Sequence, residues 1–502
     1  MARADDRLPF DGVQVHTVYS GLIPNASSTA FLAMRTSGDH SHSSATSDAM
    51  QNLIHIASDR VDQDILLSLK ATPLARLYLR TLRRFPLFKS LDIFLWSAGI
   101  PKILIGARRS ISFLRIFPFY PHGAVLTPYL CAKPSHYLEK TTLLNQEASV
   151  IPSPVVYQPR GSHVLIGPQN SVFPPIQCVR ISQAFAYGGT NLLFGKHSVY
   201  CHDLYKFRYD YTGEELHGRH FLFAPIRRLY NVRPDPTPFP LAEAMACLDA
   251  CAHNYAHFLT EVLPRINLFC NTNHDRSIPI IIDDGLHRNI VDAVRLIVGP
   301  ERIIYQLPVA KSVFCQTLWT VTATGYVPFD QRNSSLHNLS QGTFSCQALM
   351  ALRDHPAISA LRARSDGELA PERIFVKRNS SVRKLINEPQ IEPILAALGF
   401  ISIDPQELSF VDQVRLFSHA KVVVGVTGAA MANAIFCQPG TQVAVLMPIH
   451  RHMIYGYWPA MLAPFGISTT YILGNIVANH RRGIHGDFYI KPDSLYQFLA
   501  AI

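Results

Sequence analysis

The sequence predicts an α/β fold whose C-terminal part is a doubly wound parallel sheet. Three observations predict it. Strand-like and helix-like runs alternate from about residue 236 to the end of the chain. The strand-like runs, such as KVVVGV (421–426) and IPIIIDD, are continuously apolar, as in strands covered on both faces. Helix-start and helix-stop residues fall between them, and alternation at this spacing argues for a parallel sheet.

The chain has 502 residues, which sets an expectation of about two to four domains. Hydrophobic residues make up 48% and charged residues only 16%, enough apolar material for sizeable cores. The net charge is +10, so an anionic partner is expected somewhere on the surface. None of the nine cysteines forms a C-x-x-C pair, and the scattered set is expected to be reduced core thiols without a structural metal. The first residues, MARADDRLPFDG, lack the apolar core of a secretory signal, so a cytoplasmic location is expected. The apolar stretch 90–107 is interrupted by Asp92, Pro101 and Lys102 and falls short of the ~20 residues of a spanning helix.

In chain order, residues 1–58 are rich in Ser, Asp, Thr and His without a sustained period and are expected to form a disordered tail. Residues 59–120 form a basic amphipathic helical segment. Leu74, Leu77, Tyr78 and Leu82 share a helical face, with Arg76, Arg80, Arg83 and Arg84 largely off it. Such a segment, about 60–115, either packs as a helical hairpin or lies as a peripheral anchor on the anionic inner face of a membrane. Residues 121–365 form an N-terminal lobe that begins with a β-rich unit at about 125–235. Helix is expected over the second half of LAEAMACLDACAHNYAHFLTEVLPRINLF and over HRNIVDAVRLIV, strand at IPIIIDD and RIIYQL, and one helix at ALMALRDHPAISALRAR before a linker at about 365–372. Residues 366–502 form a C-terminal lobe. There RIFVKR, FISIDP, KVVVGV, TQVAVLMP and STTYIL are strands. EPQIEPILAALG is a helix stopped by Gly399, SFVDQVRLFSHA a helix capped by Ser409 and Asp412, and GAAMANAIF opens a further helix.

Three segments carry the chemistry. The small residues Gly425, Gly428, Ala429 and Ala430 lie at the end of the 421–426 strand and just after it. They let a ligand reach the backbone, and the helix start after them offers N–H groups suited to a diphosphate. Tight strand–helix packing needs the same small residues. Lys377, Arg378, Arg383 and Lys384 follow the first strand of the lobe, where open α/β sheets bind ligands and where an Arg fork can hold two phosphate oxygens. Asn387 and Glu388 then lead into the next helix. On the helix in HNYAHFLTEVLPRINLF, the residues Asn254, His257, Glu261 and Arg265 fall at spacings that place them on one face, opposite Leu259, Val262 and Ile266. Without a functional role, that face is a Glu261–Arg265 ion pair.

Taken in order, NYAHFLTEVLPR, IFVKRNSSVRKLINE and LSFVDQVRLFSHAKVVVGVTGAAMANAIFCQPG resemble the family 61 glycosyltransferases, bacterial capsular-polysaccharide members included, over about residues 240–475. The resemblance implies a GT-B-like architecture of two Rossmann-type lobes around a cleft. It also implies inverting, metal-independent transfer of a hexosyl or pentosyl unit from a nucleotide-sugar donor to a glycan or lipid-linked acceptor, with no cofactor beyond the donor itself. It maps family positions onto His257 and Glu261 in the first lobe, the expected catalytic pair: His257 is the favoured base because a neutral imidazole is available near pH 7, and Glu261 either orients it or is the base itself. In the second lobe it maps family positions onto Arg378, Arg383, Asn387, Glu388, Gly428, Ala429 and Asn433, the expected donor set, to which the 427–433 turn adds Thr427; Asn254, with Arg265 from the shared helix face, is expected at the acceptor cleft. The sequence departs from the family pattern at Thr427, where the turn usually carries His, and at Val445, where the next strand often ends in Glu. These departures keep open a catalytically inactive glycan- or nucleotide-binding protein. A dinucleotide oxidoreductase is disfavoured because no G-x-G-x-x-G with a following acidic residue occurs. A nucleic-acid partner is disfavoured because the basic residues cluster in a Leu/Phe-rich amphipathic segment.

Overall fold

The computed structural model describes residues 139–195, 198–200, 235, 237–309, 311–327, 342–363, 370–450 and 453–502, with four short strands at 15–17, 127–132, 221–224 and 229–232. The basic segment 60–115 and most of the 365–372 linker lie outside the described residues, as does the 1–58 tail except for Val15–Thr17, which adds a parallel edge strand beside Ile304–Leu307.

The chain is mixed α/β with two large sheets. In the C-terminal sheet the parallel strands lie in the spatial order Ile401–Ile403, Arg373–Val376, Val422–Val426, Gln442–Pro448, Ser468–Ala478. Counted along the chain this is the doubly wound order 2-1-3-4-5, and the direction in which strands are added reverses between 373–376 and 422–426. Asp487–Tyr489 adds an antiparallel edge. The second large sheet holds four parallel strands in the order Ile304–Leu307, Ile280–Asp283, Phe239–Ala246, Ser312–Val321, or 3-2-1-4 by sequence. The 12-residue antiparallel strand Ile176–Tyr187 continues it. One strand of the early β-rich region, Val155–Tyr157, leaves its neighbours and pairs in parallel with Thr470–Ile472 of the C-terminal sheet.

The strand pattern explains the layers. Val423, Val443, Val445 and Met447 face one core, while Val422, Val424, Ala444 and Leu446 face another with Ile391, Leu395, Leu495 and Phe498 from the flanking helices. The first of these cores is shared: it also contains Phe258, Leu259, Ile266 and Phe269 and the helix Arg288–Val298 of the other sheet. The two halves therefore meet through a continuous apolar layer, a contact that resists wide opening.

Local signals act as expected at several ends. Ser409 Oγ caps Phe410–His419 by accepting from Asp412 N at 3.1 Å. Gly399 follows the helix Glu388–Ala397 with φ +78°. Two elements differ from expectation. The single helix expected at 348–364 is two, Cys346–Arg353 and Pro356–Ala363, because the residue before Pro356 is steered away from helical geometry. The helix after Gly428, Ala429–Phe436, is wound as a 3₁₀ helix, with Met431 N on Gly428 O at 3.1 Å and Cys437 N on Ala434 O at 3.1 Å. Among the described residues no helix is long and apolar enough to cross a membrane. Cys178, Cys247, Cys251, Cys315 and Cys437 are buried and stand in no disulfide, as a set of core cysteines should.

Candidate active site

The crossing point of the C-terminal sheet brings two of the sequence segments together. The strand 373–376 ends at Lys377 and Arg378, and its neighbour 422–426 ends at Thr427 and Gly428. The Arg378 guanidinium lies against Gly428: a Cβ added there would sit 2.0 Å from Arg378 Nη1. Arg378 Nε donates to Val382 O at 3.2 Å and Nη2 to Ser380 Oγ at 3.4 Å, so its own loop aims it. Burial lowers the pKa of the guanidinium from its ordinary value, the signature of a cation held with little water.

The loop itself is fixed as an extra rung beside the edge strand. Arg383 N donates to His485 O at 3.1 Å, Ile386 N to Phe488 O at 2.8 Å, and Phe488 N to Lys384 O at 2.9 Å. Arg383 adopts φ +58°, a left-handed conformation costly for a side chain with a Cβ, and places Nη2 3.1 Å from His485 Nδ1. Lys377 Nζ reaches Glu388 at 3.4 Å and Glu392 at 3.1 Å.

The third segment arrives from the other half. Tyr255–His257 opens a helix that continues through Phe258–Val262 to Cys270, and its first turn packs against Ala429–Phe436, the helix that Gly428 begins. His257 Nδ1 and Glu261 Oε1 are 2.8 Å apart, and both residues are buried. The same junction carries a chain of amides across the interface. Tyr255 Oη donates to Asn433 Oδ1 at 2.6 Å, Asn433 Nδ2 to Gln413 Oε1 at 2.7 Å, and Gln413 Nε2 to Pro405 O at 2.7 Å and Leu408 O at 3.2 Å. Asn289 Nδ2, from the first half, shares Leu408 O at 2.8 Å. Burial pushes the Tyr255 phenol up, its bond to Asn433 offsetting part of the shift, so it stays a neutral donor.

The sequence-predicted residues thus separate into groups. Arg378 meets Gly428 at the crossing point, His257 pairs with Glu261, and the turn that carries His257 packs against the helix that Ala429 opens. Asn433, expected at the donor, has both amide groups engaged by protein and is fully buried as a pin between the halves. Asn387 bonds Ile490 through both its groups, Nδ2 to the carbonyl at 2.7 Å and Oδ1 from the N–H at 3.2 Å. Asn254 caps its own helix by accepting from Ala256 N at 3.1 Å. Arg265 does not pair with Glu261; it donates to Val321 O at 2.8 Å and Thr320 Oγ1 at 2.9 Å, clamping the end of a strand. Thr427 is buried, and its hydroxyl accepts from Trp458 Nε1 at 3.4 Å. Val445 is sealed in the shared core. Asp283 accepts from the backbone N–H of Gly189 and, at 2.8 Å, of Asp249. Among the described residues no group of acidic, His and Cys side chains has the arrangement of a metal site.

Sequence reasoning missed Tyr255, Gln413 and Tyr457. Tyr255 stands inside the quoted NYAHF run. Tyr457 lies in the aromatic GYW run and carries no motif spacing of its own; its ring meets Phe344 edge-on at 5.3 Å across the interface.

Removing the pin tests its weight. Asn433→Ala strands the Tyr255 hydroxyl and Gln413 Oε1 in a dry interface, so it should cost about 2–4 kcal/mol in denaturant unfolding. Tyr255→Phe in that background should cost little more, because its partner is already gone.

Residues 255–444 match the family model described as Glycosyltransferase 61. The match spans less than half of the chain and supports a family 61 glycosyltransferase. It opens at Tyr255, runs through the 377–388 loop and the 427–433 turn, and ends in the strand after it. No curated protein was found to match the chain.

Proposed function

We propose that the chain is an inverting glycosyltransferase, of the bacterial capsular-polysaccharide type, that moves a hexosyl or pentosyl unit from a nucleotide-sugar to a glycan or lipid-linked glycan acceptor. The observation that carries the reading is the Arg378 guanidinium seated on Gly428 at the crossing point of a 2-1-3-4-5 sheet, beside the His257–Glu261 helix. That crossing point is where doubly wound sheets bind phosphorylated ligands.

In this reading the donor diphosphate lies along Gly428 and Ala429. Arg378, with Arg383 from the same loop, neutralises the charge that develops as the bond between the anomeric carbon and the phosphate oxygen breaks. Glu261 accepts the Nδ1 proton of His257, which leaves the basic lone pair of the ring on Nε2. His257 takes the proton of the acceptor hydroxyl as its oxygen bonds the anomeric carbon from the face opposite the departing nucleoside diphosphate. Arginine and backbone N–H groups supply the charge stabilisation, so transfer needs no divalent cation.

A second reading, nucleotide binding without transfer, is favoured by one observation. Thr427, at the position where the family carries His, is turned to the Trp458 indole. One experiment separates the two. Thermal shift against a panel of nucleoside diphosphates and nucleotide-sugars should show a rise for the matching nucleotide, about 2.7 kcal/mol of stabilisation at a hundredfold excess over Kd. Nucleotide release on adding acceptor then indicates transfer. A shift without release leaves only binding, and no shift with any nucleotide removes both readings.

A further inference from the structure

The helix that carries His257 and Glu261 is not uniformly wound. Phe258–Val262 forms a π-helical turn, with Leu263 N bonded to Phe258 O, five residues back, instead of four. Its cause is local. Pro264 has no N–H for the carbonyl four residues before it, Thr260, and its ring crowds that carbonyl. Thr260 O is satisfied from outside the helix instead, by Thr324 Oγ1 at 2.9 Å. Thr260 Oγ1 donates to Ala256 O at 2.8 Å on the preceding turn.

A π turn inserts one residue. Relative to an unbroken α-helix, the residues before it are therefore rotated by about 100° against those after it. The consequence is visible at Arg265. In a regular helix it would lie beside Glu261 at i, i+4, but here it points to Thr320 and Val321 while Glu261 points to His257. The later half, Leu263–Cys270, is fixed by Ile266 and Phe269 in the shared core. The first half presents Tyr255 to Asn433 and brings Glu261 towards Tyr457 of the other half, whose phenol is pushed up by burial, with the Glu261 charge adding to the shift. Gly325, next to Thr324, leaves the room: a Cβ there would sit 3.0 Å from Glu261 Cγ and 2.7 Å from the Phe344 ring.

We propose that Pro264 and Thr324 are positioning residues: together they hold the π turn that rotates His257 and Glu261 out of the core phase of their helix and towards the C-terminal half. The catalytic consequence rests on the transferase reading above; the phase of the helix does not. Thr324 acts through the Thr260 carbonyl and Pro264 through the donor it lacks, so neither touches substrate.

The test compares Pro264→Ala/Thr324→Val, which returns an N–H to the helix and removes the outside hydroxyl, with Thr324→Ser, which keeps the hydroxyl. The structure of the double variant should show Leu263 N bonded to Leu259 O and the 2.6 Å Tyr255–Asn433 bond broken. Its turnover should fall about 10²-fold, the scale of a small misplacement of catalytic groups, with a changed pH profile of kcat. Thr324→Ser should match the parent in both. A double variant that keeps the π turn, or one that winds as α-helix with unchanged kcat and pH profile, overturns the proposal. A parent that transfers from no nucleotide-sugar removes the transferase reading, and the Tyr255–Asn433 bond in the variant structure then still decides the phase claim.

Discussion

Replacing His257 with alanine should lower turnover about 10²–10⁴-fold, the range over which a positioned general base contributes. The expectation rests on the 2.8 Å contact between Nδ1 and Glu261, which orients the ring and, with an ionised carboxylate, favours the proton on Nδ1. Alanine also strands a buried carboxylate, which weakens the fold and adds to the loss. Glu261→Gln controls for that. Its amide oxygen still accepts from Nδ1, but it carries no charge to balance a developing imidazolium, and turnover should fall by about 10–10²-fold with the melting temperature near that of the parent. Nucleotide release by both variants, measured beside thermal unfolding, decides the matter. Two variants that release nucleotide at the parental rate would remove the pair from the mechanism.

The Gly428→Ala substitution should weaken donor binding by about 10–100-fold, the worth of one charge-assisted contact. The new Cβ would fall 2.0 Å from Arg378 Nη1, far inside contact distance, so the guanidinium must leave its seat. Gly428 has an extended backbone, φ −180°, that any residue can adopt, so no backbone strain accompanies the change. The atom that must move is the far end of a long side chain, and the fold should lose little. Isothermal titration with the nucleotide found by the thermal-shift panel, beside a melting curve, separates the two effects. Unchanged affinity would mean that the ligand does not use this cation.

The C-terminal sheet is legible in the sequence because each of its signals is local. Val422–Val426 is apolar throughout because it is covered on both faces, Ser409 announces its helix, and Gly399 ends another. The site is less legible. Placing Asn254, His257, Glu261 and Arg265 on one face assumes 3.6 residues per turn from end to end, and Pro264 breaks that assumption. The proline itself is plain in the sequence, but the hydroxyl that makes its orphaned carbonyl tolerable comes from Thr324, far along the chain. Asn387 and Asn433 show a second limit. An amide in a motif can serve a ligand or the chain with equal chemistry, and here both serve the chain, at Ile490 and Tyr255. The departure at Thr427 gains a physical meaning only once Trp458 is seen beside it.

The strand Val155–Tyr157 gives the molecule an unusual order of assembly. Made early, it has its place beside Thr470–Ile472, near the far end of the chain. The C-terminal sheet therefore cannot finish its own border from its own sequence. Until the ribosome has delivered the last strands, the segment has no seat, and a fragment beginning after it would present an open row of N–H and C=O groups to any passing strand. The two halves are thus sewn together by backbone as well as by side chains, and the chain matures as one unit rather than as two beads joined by a tether.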